Sequence, residues 1–295
     1  MMWMRGPKRS LVDSLERVQG RNKEWWEHSP MTYDWREDSP PGLPSLKWFE
    51  EQDRRNAETH RHFATDRAPF DRLIPYDSLS GRRVLEIGVG SGYHAELLAR
   101  AGTQLTGIDL TRAAIDRTTR RFELKDLRGH FEQWDAEEGR PDFMERFSFV
   151  WSWGVIHHSA RTARIVRNVA RWLTTDGRFA GMVYHRNSTS ASVALMLDGV
   201  LRGKLVTSSI DEILWRRADG FSARFYPADQ WRDLLLGFFE EASVVVAGTD
   251  ADVLPLPRRL RTRVVPYISA SLRDRVLARF GSFVIFDARK PLAPL

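Results

Sequence analysis

The chain has no cysteine among its 295 residues. That absence removes disulfides, cysteine-ligated metal and a thiol nucleophile together, and it fits a cytoplasmic protein. No apolar run approaches the ~20 residues needed to span a bilayer, so no membrane-crossing segment is expected. Met1 to Ser10 carries basic residues with no apolar stretch after them, so it does not read as a secretory signal. Lysine is scarce too: six stand against 39 arginines. A net charge of +6 and a pI near 9.8 would suit an anionic partner, but the arginines are scattered, as in a biased composition. Two clusters stand apart. Arg161, Arg164, Arg167 and Arg171 share one helical face and read as solvated, and Arg258, Arg259, Arg261 and Arg263 follow a Pro-Leu-Pro.

What the chain does have is the stretch Val84-Leu85-Glu86-Ile87-Gly88-Val89-Gly90-Ser91-Gly92. Apolar residues run up to an acid, and three glycines then alternate with other residues. This is how a buried parallel strand reads when it enters a tight turn and a helix. Glycine there allows positive φ and a close approach of ligand to backbone. A dinucleotide loop has the spacing G-x-G-x-x-G and holds a pyrophosphate. Here the spacing is G-x-G-x-G, and Glu86 would repel an anion at that mouth. A cationic ligand with an ammonium group fits better, which points to S-adenosylmethionine rather than NAD.

Around this loop strands alternate with helices, which argues for a parallel α/β sheet. Strands are expected near 82–88, 105–109, 130–135, 147–153, 178–184, 243–247 and 282–288. Helices fall near 92–101, 111–123, 160–173 and 228–239. Ahead of the sheet, residues 1–28 carry Leu11, Leu15 and Val18 at helical spacing, an aromatic, proline-rich segment runs from Trp25 to Phe49, and residues 46–75 read as helical. Residues 187–225 read as an irregular insertion with a helix-like stretch at Ser192 to Leu201, and an Arg- and Pro-rich stretch between the last two strands reads as a long loop. The chain thus divides into an extension at 1–70, a core at 71–187, an insertion at 188–225 and a completion of the sheet at 226–295.

Acids end successive strands, where open α/β sheets bind ligands. Asp109 can accept both hydroxyls of a ribose, although a helix cap is the alternative and Thr111 serves that role at least as well. Asp135 can accept an adenine amino group. Val84 to Thr111 and Phe149 to His158 resemble a class I S-adenosylmethionine-dependent methyltransferase of the small-molecule type, over roughly residues 70–190. The resemblance implies a Rossmann-like seven-stranded sheet, mostly parallel with an antiparallel last strand and helices on both faces. It implies that Glu86, Gly88, Gly90 and Gly92 surround the methionine part of the cofactor, that Asp109 holds the ribose with Leu110 beside the adenine, that Asp135 and Ala136 hold the adenine amino group, and that the backbone near Trp153 meets the cofactor's amino group. The long N-terminal segment and the 187–225 insertion depart from the pattern.

The acceptor side is expected from Trp153-Gly154-Val155-Ile156-His157-His158. Methyl transfer needs alignment and, for a hydroxyl or protonated amine, loss of a proton. His157 or His158 is the candidate base, with a structural role as the alternative for either. Tyr184, His185 and Arg186 form a candidate polar cup, with Arg186 either forking onto an acidic substrate group or pairing with a local acid. Tyr33 and Trp35 are candidates to close over cofactor or substrate. No metal is expected, because Trp151-Ser152-Trp153 offers no acid. Ser152-Trp153-Gly154-Val155 lacks the Asn/Asp-Pro-Pro-Tyr/Phe of enzymes that methylate base amines, and no RNA-binding module is visible, so nucleic acid is not the expected partner. An RNA or other macromolecule methyltransferase, or a cofactor-binding protein without chemistry, remains as the alternative. A homodimer is left open.

Overall fold

A computed structural model describes residues 11–29, 31 and 43–292 of the chain. Helix α1 (Leu11–His28), α2 (Leu46–Thr59) and the short α3 (Tyr76–Leu79) precede the sheet. The core follows as β1 (Arg83–Ile87), α4 (Tyr93–Arg100), β2 (Gln104–Asp109), α5 (Arg112–Leu124), β3 (His130–Gln133), β4 (Phe147–Trp153), α6 (Thr162–Trp172) and β5 (Leu173–His185). Next come α7 (Thr189–Ala194), π-helical turns over Leu195–Leu201, α8 (Ile210–Trp215), β6 (Phe225–Tyr226), α9 (Ala228–Leu236) and β7 (Phe239–Ala247). Three helices, α10 (Asp250–Val253), α11 (Arg258–Val264) and α12 (Ala270–Phe280), lead to β8 (Phe283–Pro291).

The sheet order is β3-β2-β1-β4-β5-β8-β7, with β6 beside the end of β5. Strands β1 to β5 pair in parallel, and β8 runs antiparallel to both β5 and β7. The expected antiparallel last strand is therefore present. The eighth strand is Phe225–Tyr226, two residues that pair with Tyr184 and His185. Strand order turns around β1, so the carboxyl ends of β1 and β4 open a crevice between them.

Alternation along the strands fills two cores. Leu85, Ile87 and Val150 pack with Ile165, Val166 and Val169 of α6 and Trp231 of α9. Val84, Phe149, Trp151 and Trp153 pack on the other face with Leu98 of α4, Phe70 and Ile74. Of the first arginine cluster, Arg164, Arg167 and Arg171 lie exposed on α6, opposite its apolar stripe.

Several boundaries differ from the sequence reading. The helix expected over 46–75 stops at Thr59, capped by His60, and the chain then turns through Phe70 at φ 59°. The stretch between β7 and β8 is helical. Arginine is a good helix former, Pro257 precedes the first turn of α11, where proline is tolerated, and Thr249 and Asp252 form a capping box for α10. Among the described residues no helix is long and apolar enough to cross a membrane.

One buried ion network ties α2 to the sheet. Arg121 of α5, 1% exposed, pairs with Asp53 of α2 and Glu96 of α4 at 2.6 Å each. Lys125 joins the same two acids at 3.2 and 2.7 Å. Burial alone would raise the Glu96 carboxyl, but Lys125, Arg121 and Arg100 outweigh it and hold it at about 2. Arg121→Met is expected to cost about 3 kcal/mol, because it leaves two acids short of a buried partner. Urea denaturation checks this, and a loss under ~1 kcal/mol would mean that Lys125 alone suffices.

Candidate active site

The glycine turn is shaped by positive φ at three places: Gly88 at 82°, Gly90 at 54° and Gly92 at 78°. Their surroundings differ. A Cβ on Gly88 would lie within 3.0 Å of both methyls of Val155, so this glycine lets the turn press against the loop after β4. A Cβ on Gly90 would meet nothing within 4 Å, so the backbone there faces open space. Gly92 caps α4 and packs against Thr118 and Arg121.

Asp109, at the end of β2, binds the turn to the next helix. One carboxylate oxygen accepts from the Gly90 N–H at 3.2 Å, and the other from the Thr111 N–H at 2.9 Å and its hydroxyl at 2.8 Å. Thr111 is the N-cap of α5, and the Asp109 carboxyl remains partly open to the crevice. Burial raises its pKa. Glu86 is 2% exposed behind the turn, and its Oε2 has no hydrogen-bond partner among the described residues. Burial, and then the charge of Asp109, holds the Glu86 carboxyl well above the usual carboxylate range.

A cavity of about 930 Å³ opens at this edge of the sheet, near the upper end of the ~300–1,000 Å³ typical of small-molecule sites. One side is walled by Gly88, Gly90, Asp109, Leu110 and Ala136, and the other by Trp153, His158, Tyr184 and Asp219. An open backbone at Gly90, an unpartnered buried acid at Glu86 and a partly open carboxylate at Asp109 are what a cationic nucleoside ligand requires. The residues present fit such a cofactor.

Other expected site residues lie away from the cavity wall. Asp135 follows β3 in a turn, where it accepts from the Glu137 N–H and, at 2.9 Å, from the Gln19 side chain of α1. His157 is fully buried, with its ring 3.9 Å from that of Tyr184 and neither nitrogen bonded among the described residues. His185 donates from Nδ1 to the Gly281 carbonyl at 2.8 Å. Arg186 pairs with Asp211, so of its two readings the local ion pair is the one formed. Tyr33 and Trp35 lie outside the described residues.

His158 is on the wall. Its Nδ1 donates to the Ser222 carbonyl at 2.7 Å, which leaves Nε2 as the acceptor nitrogen. Burial lowers its pKa to about 4, so the ring is neutral near pH 7. His60, which the sequence did not single out, also lines the cavity. It accepts from the Trp153 indole at 3.4 Å and is likewise lowered to about 4 by burial. Among the described residues no group of three or more His, Cys, Asp or Glu could hold a metal ion.

Helix α1 closes one side of the crevice. Asn22 donates to the His158 carbonyl at 2.6 Å and accepts from Ser222 at 2.8 Å. Glu27 accepts from the first two backbone N–H groups of α5 at 3.1 and 2.9 Å, a favourable charge for a helix start. Nothing in the spacing of residues 19–27 signalled these contacts, because every partner is remote in sequence.

Residues 84–177 match a family model described as a methyltransferase domain. A ubiquinone biosynthesis O-methyltransferase of Coxiella burnetii is 27% identical over 110 residues, 37% of this chain and 47% of that protein. The chain thus spans about half the length of the curated relatives it matches. Two solved structures share the fold. A [4+2]-cyclase, SpnF, has a TM-score of 0.52 at 16% identity, covering 96% of this chain and 94% of its own. A phosphoethanolamine N-methyltransferase of Haemonchus contortus, bound to phosphomonomethylethanolamine and S-adenosylhomocysteine, has a TM-score of 0.50 at 17% identity, covering 86% and 62%.

The first two glycines of the turn should not tolerate substitution equally. Gly88→Ala adds a collision with Val155 to the ~1–2 kcal/mol cost of left-handed backbone, whereas Gly90→Ala bears only that cost. Thermal denaturation should rank Gly88→Ala below Gly90→Ala, and adding Val155→Ala should restore part of the loss. Equal melting temperatures for the two single variants would refute the packing role of Gly88.

Proposed function

Since residues 84–177 form a class I S-adenosylmethionine-dependent methyltransferase domain, we propose that this chain transfers a methyl group from S-adenosylmethionine to a small-molecule acceptor. The observation that carries the reading is the shared cavity, in which the Gly88–Gly90 turn and Asp109 face Trp153, His158 and Tyr184 across one space. When bound, S-adenosylmethionine supplies a methyl group on a sulfonium centre whose leaving group is a neutral thioether. Glu86, Gly88, Gly90 and Gly92 would border its methionine part and Asp109 its ribose. Leu110 and Ala136 would border the adenine, with Asp135 behind them, and the Trp153 backbone would meet the amino group.

The chain's own work is then to align the acceptor and exclude water. Of the two candidate bases, His158 suits the role better, because its Nε2 is the acceptor nitrogen on the cavity side of a fixed ring. With a pKa of about 4, it accepts a hydrogen bond from the nucleophile and takes the proton as methylation makes it acidic. His157 fits a packing role beneath Tyr184. A cavity within the size range of small-molecule sites, in a chain without a base-amine motif, favours a small-molecule acceptor over RNA.

Calorimetry and a radiolabelled methyl donor test this against small-molecule O, N and S acceptors. Asp109→Ala should weaken S-adenosylmethionine binding about tenfold to a hundredfold, the worth of charge-assisted hydrogen bonds. His158→Ala should lower turnover by ~10², the low end for a general base, and His157→Ala should lower it far less. Equal losses for the two histidines would refute the assignment, and binding of the cofactor with no acceptor of any class methylated would refute the activity.

Affinity should also depend on pH. The Glu86 and Asp109 carboxyls lie above their ordinary values in the free protein, and a cation favours their ionised forms. Binding is therefore tightest above those raised values and weakens as pH falls through them. Calorimetry between about pH 8 and pH 5 measures this, and Glu86→Gln should flatten the curve. A flat curve for the wild type would exclude the coupling.

A further inference from the structure

Apart from histidines, the charged side chains on the described cavity wall are Asp109, Arg117 and Asp219. Arg117 sits within the field of Asp109 and Glu27, on the side of the glycine turn. Asp219 stands alone on the other side, in the insertion between β5 and β6. In a chain with 45 basic residues, no Lys, Arg or His pairs with it among the described residues. Its partner is Tyr184, whose side chain hydrogen-bonds it.

The setting of Asp219 is aromatic. Tyr184 lies 6.5 Å, ring to ring, from Phe283, and Phe283 lies 6.2 Å from Trp153. The next residue, Gly220, packs so tightly that a Cβ there would lie within 3.0 Å of both Trp26 and the His158 ring. Asp219 is thus anchored beside the residues that face the crevice, although its own surface is open to it. Arg21, Arg121, Arg140 and Arg178 lie over rings elsewhere, but among the described residues no protein cation lies over Trp26, Trp153 or Phe283. A carboxylate with no cationic partner among the described residues, beside rings that no protein cation covers, attracts a cation by charge and by ring quadrupole together. The arginine expected to greet an anion, Arg186, is engaged with Asp211.

We propose that Asp219, oriented by Tyr184, is the acceptor-recognition residue of this cavity and that the acceptor is a small organic cation, an amine, seated against Asp219 and the aromatic wall of Trp26, Tyr184 and Phe283. This rests on the reading of the cavity as a methyltransferase site and deepens it. The matched family region ends at residue 177, before Tyr184 and Asp219, so the recognition belongs to the part of the chain outside that region. Tyr184 acts here as a positioning residue, through Asp219.

The test uses the full chain loaded with S-adenosylhomocysteine and two probes of the same ring and opposite charge, phenethylamine and phenylacetate. By calorimetry the wild type should bind phenethylamine at least tenfold more tightly than phenylacetate. Asp219→Asn should abolish that preference and leave S-adenosylhomocysteine affinity within twofold, which also shows that the variant is folded. Asp219→Glu should keep part of the preference, and Tyr184→Phe should reduce it without reversing it. Equal binding of the two probes by the wild type, or an undiminished preference in Asp219→Asn, overturns the proposal. So does a loss of S-adenosylhomocysteine affinity in Asp219→Asn that matches the loss of phenethylamine, because Asp219 would then serve the cofactor. The same titrations without S-adenosylhomocysteine separate the two readings. If the wild type binds no S-adenosylhomocysteine yet prefers phenethylamine through Asp219, the cofactor reading fails and the cation site stands.

Discussion

The carboxylate of Asp109 is the interaction on which the site depends. Of its three hydrogen bonds, one comes from Gly90 in the turn after β1 and two come from Thr111, the cap of α5. It therefore fixes the distance between the backbone of Gly90 and the start of α5. Without it, three alternating left-handed glycines would leave the turn free to adopt many conformations. Burying such an acid is unfavourable, and so is burying Glu86 close to it. A cationic ligand at this edge would favour the ionised forms of both.

On and behind the opposite wall, burial has the reverse effect on histidines. His60, His94, His157 and His158 are all held below their ordinary pKa by desolvation. His60 and His94 pack with Trp151, Trp153 and Phe70, and His157 and His158 with Tyr184, which gives that side a low dielectric without positive charge. Cations are thus not opposed there, and the few carboxylates act over longer range than they would in water. One electrostatic logic serves both halves of the cavity.

The walls are held in place by elements far apart in sequence. Helix α1 links the loop after β4, the insertion and the start of α5 through Asn22, Ser222 and Glu27. Helix α2 is joined to α4 and α5 by Arg121 and Lys125, and its end meets α10 where Arg61 and His62 reach Asp250. The crevice between β1 and β4 is therefore a partly enclosed cavity and not an open groove.

The sheet was legible because its causes are local. Apolar runs, glycine turns and caps such as Thr111 act within a few residues, so strands β1 to β5 fall where alternation and turn chemistry put them. The glycine turn followed, since Gly88, Gly90 and Asp109 lie at strand ends that periodicity alone locates. The helices between β7 and β8 are not legible in the sequence because arginine and proline density reads as loop, although arginine extends helices and proline can start them. The fates of His157, Arg186 and Asp135 were beyond sequence reasoning. Each was set by a partner 25 to 116 residues distant: Tyr184, Asp211 and Gln19 respectively. The sequence by itself determined the parallel sheet and the ligand turn, whose residues carry their own conformational preferences. Tertiary structure alone decided which polar side chains face the cavity, because that depends on long-range packing and on which charges find a partner first.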